Sequence, residues 1–296
     1  MTGLDNWDEL RTAYQVARLG TVSGAAELLG VHHATVIRHV DALEGRLGVR
    51  LFQRHARGYT PTEAGRELLS VAQIADEKFA QLASRIRGQG EAVSGELVVT
   101  SITGIIDLMT PVLTSFQQAH PGVVVRYLSD LRVLRLEFGE AHVAVRAGNK
   151  PQEPDYVVQP LTRLRQALCA APSYVAAHGA PAGPADFTGH RFISVDSAAG
   201  RAPFYRWLSV HAPPECLTYV VNEPAAVMPA ICAGAGMGFA SLREMRANPG
   251  LVEVMASRPE WEVPLWIVTH VDLHRTGKVQ AFVAHLKAMS QGWDDP

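Results

Sequence analysis

"GVHHATVIRHVDALEGRLG", Gly30 to Gly48, decides the fold of the first part of the chain. Val36, Val40, Leu43 and Leu47 are spaced four, three and four apart, which sets them on one narrow stripe of a helix. That stripe packs inward, so Ala34, Thr35 and Arg38 face out near the helix start, with His32 and His33 at its very beginning. Upstream, "WDELRTAYQVARLG" (7–20) predicts a helix with Leu10, Tyr14 and Ala17 on one side and a terminating Gly20. "TVSGAAELLG" (21–30) predicts a short second helix capped by Ser23 and ended by Gly30. A short helix, a tight turn and a second helix with a free N-terminal end form the helix-turn-helix layout. Downstream, "RLFQRHARGYTPT" (50–62) carries Arg54, His55 and Arg57 around Gly58, a basic wing beside the helix.

The paired histidines pose a choice between metal, core and contact. A helical metal site wants two ligands converging, usually i and i+4, whereas His32, His33 and His39 are 1, 6 and 7 apart. Contact with DNA is the favoured reading, because a neutral imidazole can donate or accept one hydrogen bond at a groove edge. The helix N-terminus also offers free amides to a phosphate. Arg38 can fork onto guanine or clamp a phosphate. Arg54 and Arg57 are expected at the phosphate backbone or minor groove, giving salt-dependent affinity with little sequence choice. The plain alternative for all of them is a solvated face.

Residues 62–90 hold one long proline-free helix, capped by Thr62 after Pro61. Leu68, Ala72, Ala75, Phe79, Leu82 and Ile86 follow four-three spacing, an a/d seam that a single helix cannot bury by itself. A second copy of the chain is the expected cover, and packing on its own domain is the alternative. From Gly95 the pattern changes. "ELVVTS", "VVVRYLS" and "AHVAVRAG" are strand-like, separated by the helical "IIDLMTPVLTSFQQAHP" and "LRVLRLEFGE", which predicts a parallel sheet covered on both faces. A second block follows in "RQALCAAP", "FISVD", "LTYVV", "EPAAVMPAICAG" and "MGFAS". "PLWIVTH" and the closing helix "TGKVQAFVAHLKAMS" end the chain. The expectation is two α/β lobes, lobe I at about 95–163 and 266–292, lobe II at about 164–265.

Composition limits the partners. Of 296 residues 47% are hydrophobic, enough for sizeable cores, and no run of about 18 apolar residues predicts a membrane span. The first twenty residues show no secretory pattern. The net charge of −2 offers no bulk attraction for nucleic acid, so any DNA contact rests on local placement. Cys169, Cys216 and Cys232 are odd in number and far apart, which suits a reducing cytoplasm and argues against a disulfide framework. "GAGMG" (234–238) follows a helix and precedes a strand, the reverse of a dinucleotide loop. No Ser-His-Asp or paired-carboxylate layout stands out, so no catalysis and no cofactor are expected.

"NWDELRTAYQVARLGTVSGAAELLGV", "VDALEGRLGVRLFQR" and "RGYTPTEAG" resemble the winged helix-turn-helix of the LysR-type transcriptional regulators. "GELVVTS", "FQQAHPGVVVRYL" and "AICAGAGMGFA" continue that resemblance in order through the rest of the chain. It implies an α+β two-domain protein: a DNA-binding domain (1–61), a linker and dimerisation helix (62–90), and a two-lobed effector domain like periplasmic binding proteins (91–296). It also implies a cytoplasmic homo-oligomer, dimer or tetramer, that binds double-stranded DNA and a small-molecule effector. The resemblance departs at the recognition helix. Where the family usually has Ser-Gln-Pro and a serine before the arginine, this chain has His32, His33, Ala34 and Ile37, with Arg38 retained.

In two-lobed sheets a ligand sits beyond the carboxyl ends of the strands. The candidates are Ser101, Thr103, Ser129 and Asp130 from lobe I, and Ser194, Asp196, Ser197, Arg201, Asn222 and Glu223 from lobe II. The hydroxyls suit a small anion, whereas the carboxylates favour a ligand with donors. Each residue has the alternative of an ordinary helix cap. Two other functions stay open: a redox-sensing or ligand-independent regulator with the same DNA domain, and a solute-binding receptor.

Overall fold

The computed structural model describes residues 6–55, 58–86, 93–129, 134–196 and 202–293, excepting the side chains of 77, 78, 80, 81 and 83–86. Helices α1 (Trp7–Leu19), α2 (Val22–Leu29) and α3 (His33–Leu47) form one bundle. Strands β1 (Phe52–His55) and β2 (Gly58–Pro61) make an antiparallel wing. Val36, Val40 and Leu43 are fully buried against Ala13, Val16, Ala25, Leu51 and Phe52, as the stripe requires. Gly20, Gly30 and Gly48 end the three helices with φ near +70°, the left-handed conformation that glycine adopts without strain. The cap of α2 is Thr21 rather than Ser23: Thr21 is the last extended residue, and its hydroxyl accepts from the Gly24 amide at 3.1 Å.

Helix α4 (Glu63–Ile86) leaves the wing where Thr62 Oγ1 accepts from the Gly65 amide at 3.2 Å. Gly65 has no substitute here, since a Cβ would lie 2.0 Å from the Leu51 carbonyl oxygen. Lobe I then builds β3 (Gly95–Ser101), α5 (Ile106–Ala119), β4 (Val123–Ser129), β5 (Val143–Ala147) and β6 (Tyr156–Leu164). Lobe II comprises β7 (Gln166–Ala170), α6 (Pro172–His178), β8 (Ile193–Val195), α7 (Pro203–His211) and β9 (Tyr219–Val221). It continues with α8 (Val227–Cys232), β10 (Gly238–Ser241), α9 (Leu242–Ala247) and β11 (Val252–Met255). The chain returns to lobe I through β12 (Val263–His270), α10 (Val271–His274) and α11 (Gly277–Met289).

The lobe I sheet has the order β4-β3-β5-β12-β6 and is mixed, not wholly parallel. β3 runs parallel to β4 and β5, but β12 is antiparallel to β5 and β6. β6 and β12 are the strands that connect to lobe II, and neither follows a crossover helix within the sheet, so nothing restores the parallel direction. In lobe II, β7 pairs antiparallel with β10 and β11, while β8 and β9 are parallel. The expected helix "LRVLRLEFGE" is, in its described part, a 3-10 turn at Leu136–Phe138. Its Leu134 and Leu136 still cover the sheet face opposite α5 and α11.

Candidate nucleic-acid interface and interlobe cleft

The start of α3 is open. His32 precedes it with extended backbone and no side chain caps the helix. The Thr35 and Val36 amides bond back to the His32 carbonyl, at 2.9 and 3.3 Å, whereas among the described residues the His33 and Ala34 amides donate to nothing. His32, His33, Ala34 and Arg38 are exposed and Thr35 is half-buried. Neither histidine side chain nor the Arg38 guanidinium has a hydrogen-bond or ion-pair partner among the described residues. His32, His33 and Ala34 border a shallow hollow completed by Ser23, Ala26, Glu27, Gly30 and Val31. His39 differs: it turns toward α1, where its Nδ1 meets Thr12 Oγ1 at 2.9 Å.

The far end of α3 is closed by ion pairs. The Glu44 carboxylate is buried and accepts from the Leu51 and Phe52 amides at 2.8 and 3.2 Å. It also takes Arg50 Nη1 at 2.7 Å and Arg54 Nη2 at 2.9 Å. Burial alone would raise its pKa, but the bonds from Arg50, the two amides and Arg54 together hold it below the ordinary glutamate value. Arg54 Nη2 also donates to Asp41 Oδ1 at 2.5 Å, and the guanidinium lies 5.3 Å from the Tyr59 ring centre. Arg54 is therefore held by two carboxylates of its own domain, and its place in the structure is as the pin between wing and α3. Arg57 lies outside the described residues.

On α4, Leu68 packs with Leu69 and Ala64 onto the core of the winged domain, so the seam is covered at its start by its own domain. Ala72 and Ala75 are half-buried, whereas Phe79 and Leu82 are 55% and 44% exposed. The Phe79 ring meets Trp7 of α1 edge-on at 5.9 Å, and Trp7 is itself 64% exposed. These rings leave an apolar strip without cover in one chain. The Ile86 side chain lies outside the described residues. The same helix also touches lobe I: Gln73 Nε2 is 2.7 Å from His142 Nε2, and the buried His142 accepts from the Val98 amide at 2.8 Å through Nδ1. Arg18 of α1 pairs with Glu96 of β3 at 3.0 Å.

Between the lobes, the Thr103–Ile105 turn before α5 approaches the Pro224–Ala226 turn before α8. Arg243 of α9 reaches across to Asp107 of α5 at 3.3 Å. Thr103 Oγ1 and Ser129 Oγ are buried atoms with no hydrogen-bond partner among the described residues. Ser101 stands directly opposite Ser129 in the parallel pair, yet its hydroxyl is already engaged. It donates to the Ile102 carbonyl at 2.9 Å and accepts from the Tyr127 hydroxyl at 2.5 Å. Tyr127, which sequence reasoning passed over, has its pKa raised by burial and so stays a neutral donor. Ser194 is half-buried, and Asp196, Asn222 and Glu223 stand at the adjacent ends of β8 and β9, with Asp196 and Glu223 exposed. Asp130, Ser197 and Arg201 lie outside the described residues.

Two family models account for these parts. Residues 7–66 match the bacterial regulatory helix-turn-helix protein, lysR family, and residues 90–291 match the LysR substrate binding domain. The chain belongs to the LysR family. It is 26% identical to the probable HTH-type transcriptional regulator LtrA of Klebsiella pneumoniae, over 97% of each chain. Among solved structures it resembles a full-length OxyR variant from Pseudomonas aeruginosa, with TM-score 0.73 at 17% identity over 94% of this chain and 93% of that one. It also resembles full-length CbnR complexed with its target DNA, with TM-score 0.57 at 20% identity over 96% and 99%. This LysR-type chain is accordingly a DNA-binding transcriptional regulator with an effector-binding domain, and not an enzyme.

Other chemistry is sparse in this LysR-type regulator. Among the described residues no group of three His, Cys, Asp or Glu is placed to hold a metal ion, and no helix is long and apolar enough to cross a membrane. Cys169 is buried in β7, which pushes its thiol up to about 12, and Cys216 is buried too. A thiol so protonated is a poor nucleophile toward oxidants.

Proposed function

We propose that this regulator acts in the cytoplasm as a dimer or dimer of dimers, placing two copies of α3 in the major groove at an imperfect inverted repeat. The observation that carries this reading is the open first turn of α3. Its two unbonded amides and its unpartnered His32, His33 and Arg38 stand exposed beside a wing locked in place by Glu44. Free amides at a helix start take a phosphate, and a free guanidinium takes guanine or a second phosphate. His32, His33 and Thr35 contribute single hydrogen bonds, with Ala34 leaving room for close approach. Arg54 serves by orienting the wing, and Arg57 by meeting the backbone. That the CbnR neighbour was solved on its target DNA supports the docking.

The exposed Trp7, Phe79 and Leu82 favour a second copy of α4 as the cover of the seam, continuing through Ala72, Ala75 and Ile86. Thr103 and Ser129 favour a small effector with polar atoms in the interlobe cleft, with Ser101 and Tyr127 forming the wall behind. Ser194, Asp196, Asn222 and Glu223 line the facing rim, and Asp130 of lobe I with Ser197 and Arg201 of lobe II are further effector contacts on the strength of their sequence positions. Binding there shifts the lobes, and the Gln73–His142 contact passes that shift to the linker helix. Selecting duplexes from a random-sequence pool with the purified protein tests the reading. A recovered dyad motif, weakened by Arg38→Ala, is expected; binding with no motif that vanishes as salt rises overturns it.

A further inference from the structure

Ile37 is the residue on α3 whose exposure the fold does not explain. It is 38% exposed and stands apart from the apolar core of the winged domain, although Val36, beside it, is fully buried. A β-branched side chain on a helix surface costs rotamer freedom, and one left 38% exposed is only partly compensated by burial. By helical geometry Ile37 lies about 100° from Val36, on the side of Asp41 and the wing, between the core stripe and Arg38. One turn earlier the same face carries the small Ala34 at i−3 and the exposed, unpartnered His33 at i−4. One turn later comes Asp41, whose carboxylate is neutralised by Arg54 at 2.5 Å and so does not set a bare negative charge beside the groove.

We propose that Ile37 is a specificity-determining residue that reads the C5-methyl group of a pyrimidine in the major groove. This methyl is the one alkyl group on the base edges of that groove, and unmodified DNA carries it on thymine alone. A face with Arg38 beside Ile37 and a gap at Ala34 thus fits a half-site in which guanine and thymine lie close together. This inference rests on the docking proposed above.

The test uses the full-length protein and duplexes recovered from the random pool, with each thymine replaced in turn by deoxyuridine. That change deletes one methyl and nothing else. One thymine per half-site is expected to lose about three- to fivefold in affinity on replacement, the value of a single buried methyl. With Ile37→Ala the same replacement costs nothing, and Ile37→Val keeps part of the penalty. Both variants keep the wild-type melting temperature, because Ile37 is no part of the domain core. A flat uridine profile on an operator that still binds overturns this inference alone. A penalty undiminished in Ile37→Ala assigns the methyl to another side chain and overturns it as well. Failure to recover any motif removes the docking and this inference together.

Discussion

The two ends of α3 carry polar and charged side chains in opposite circumstances. At its start His32, His33 and Arg38 are exposed without partners among the described residues, and two backbone amides are unbonded. Toward its end Asp41 and Glu44 are matched by Arg54, and Arg46 by the buried Glu9 of α1. Polar groups that a fold needs are satisfied within it, because an unpaired buried group is costly. Groups kept exposed and unpaired on one rigid face are available to something else. Holding the far end firmly fixes the backbone of the near end, so on the docking proposed above the ordering cost left to binding is that of the side chains.

That contrast can be broken by swapping the consequences of mutation at the two ends. Glu44→Ala strands the Leu51 and Phe52 amides, leaves Arg50 unmatched and leaves Arg54 with Asp41 alone. The winged domain should lose about 3 kcal/mol of unfolding free energy in a denaturant titration. Arg38→Ala should leave that titration unchanged and cost about 2 kcal/mol of operator affinity, roughly 30-fold, measured by fluorescence anisotropy. Equal effects of both variants on stability would erase the distinction.

Acid sharpens the same point. Because the Glu44 pKa is depressed in the folded chain, its contribution is present above the ordinary glutamate value of 4.5 and is lost as pH falls through the lower folded value. Thermal unfolding of the winged domain should therefore steepen its fall in stability below pH 4.5, and Glu44→Gln should flatten that slope. The interlobe cleft gives the smallest effect. Thr103→Val removes a hydroxyl that has no partner, so stability should hold or rise by about 1 kcal/mol while effector binding weakens. A loss of stability in calorimetry would mean that the Thr103 hydroxyl serves the fold after all.

Much of the near end was legible in the sequence. Val36, Val40 and Leu43 mark the buried side of α3 by spacing alone, and that places Arg38 and Ala34 outside. The far end was not legible, because Glu44 is an ordinary helix carboxylate until the wing folds back and brings two amides to it. The ion pairs of Arg54 were not legible for the same reason: a basic residue in a wing shows its carboxylate partners only once its neighbours across the turn are known. Strand direction in the lobes was hidden too, since alternation and burial look alike in β3 and in the antiparallel β12. Thr21 and Ser23 are both good caps two residues apart, and only the point where the backbone turns from extended to helical separates them. Ser101 was a fair candidate by position, but its use depends on Tyr127 across the strand pair, a contact that lies 26 residues away in sequence.

Amide hydrogen exchange followed residue by residue, with and without the recovered operator, tests the central claim most directly. The His33 and Ala34 amides should exchange quickly in the free protein and slow markedly on the operator. The Leu51 and Phe52 amides, held by Glu44, should be slow in both. First-turn amides already protected in the free protein, or unchanged when the operator is bound, would contradict the account.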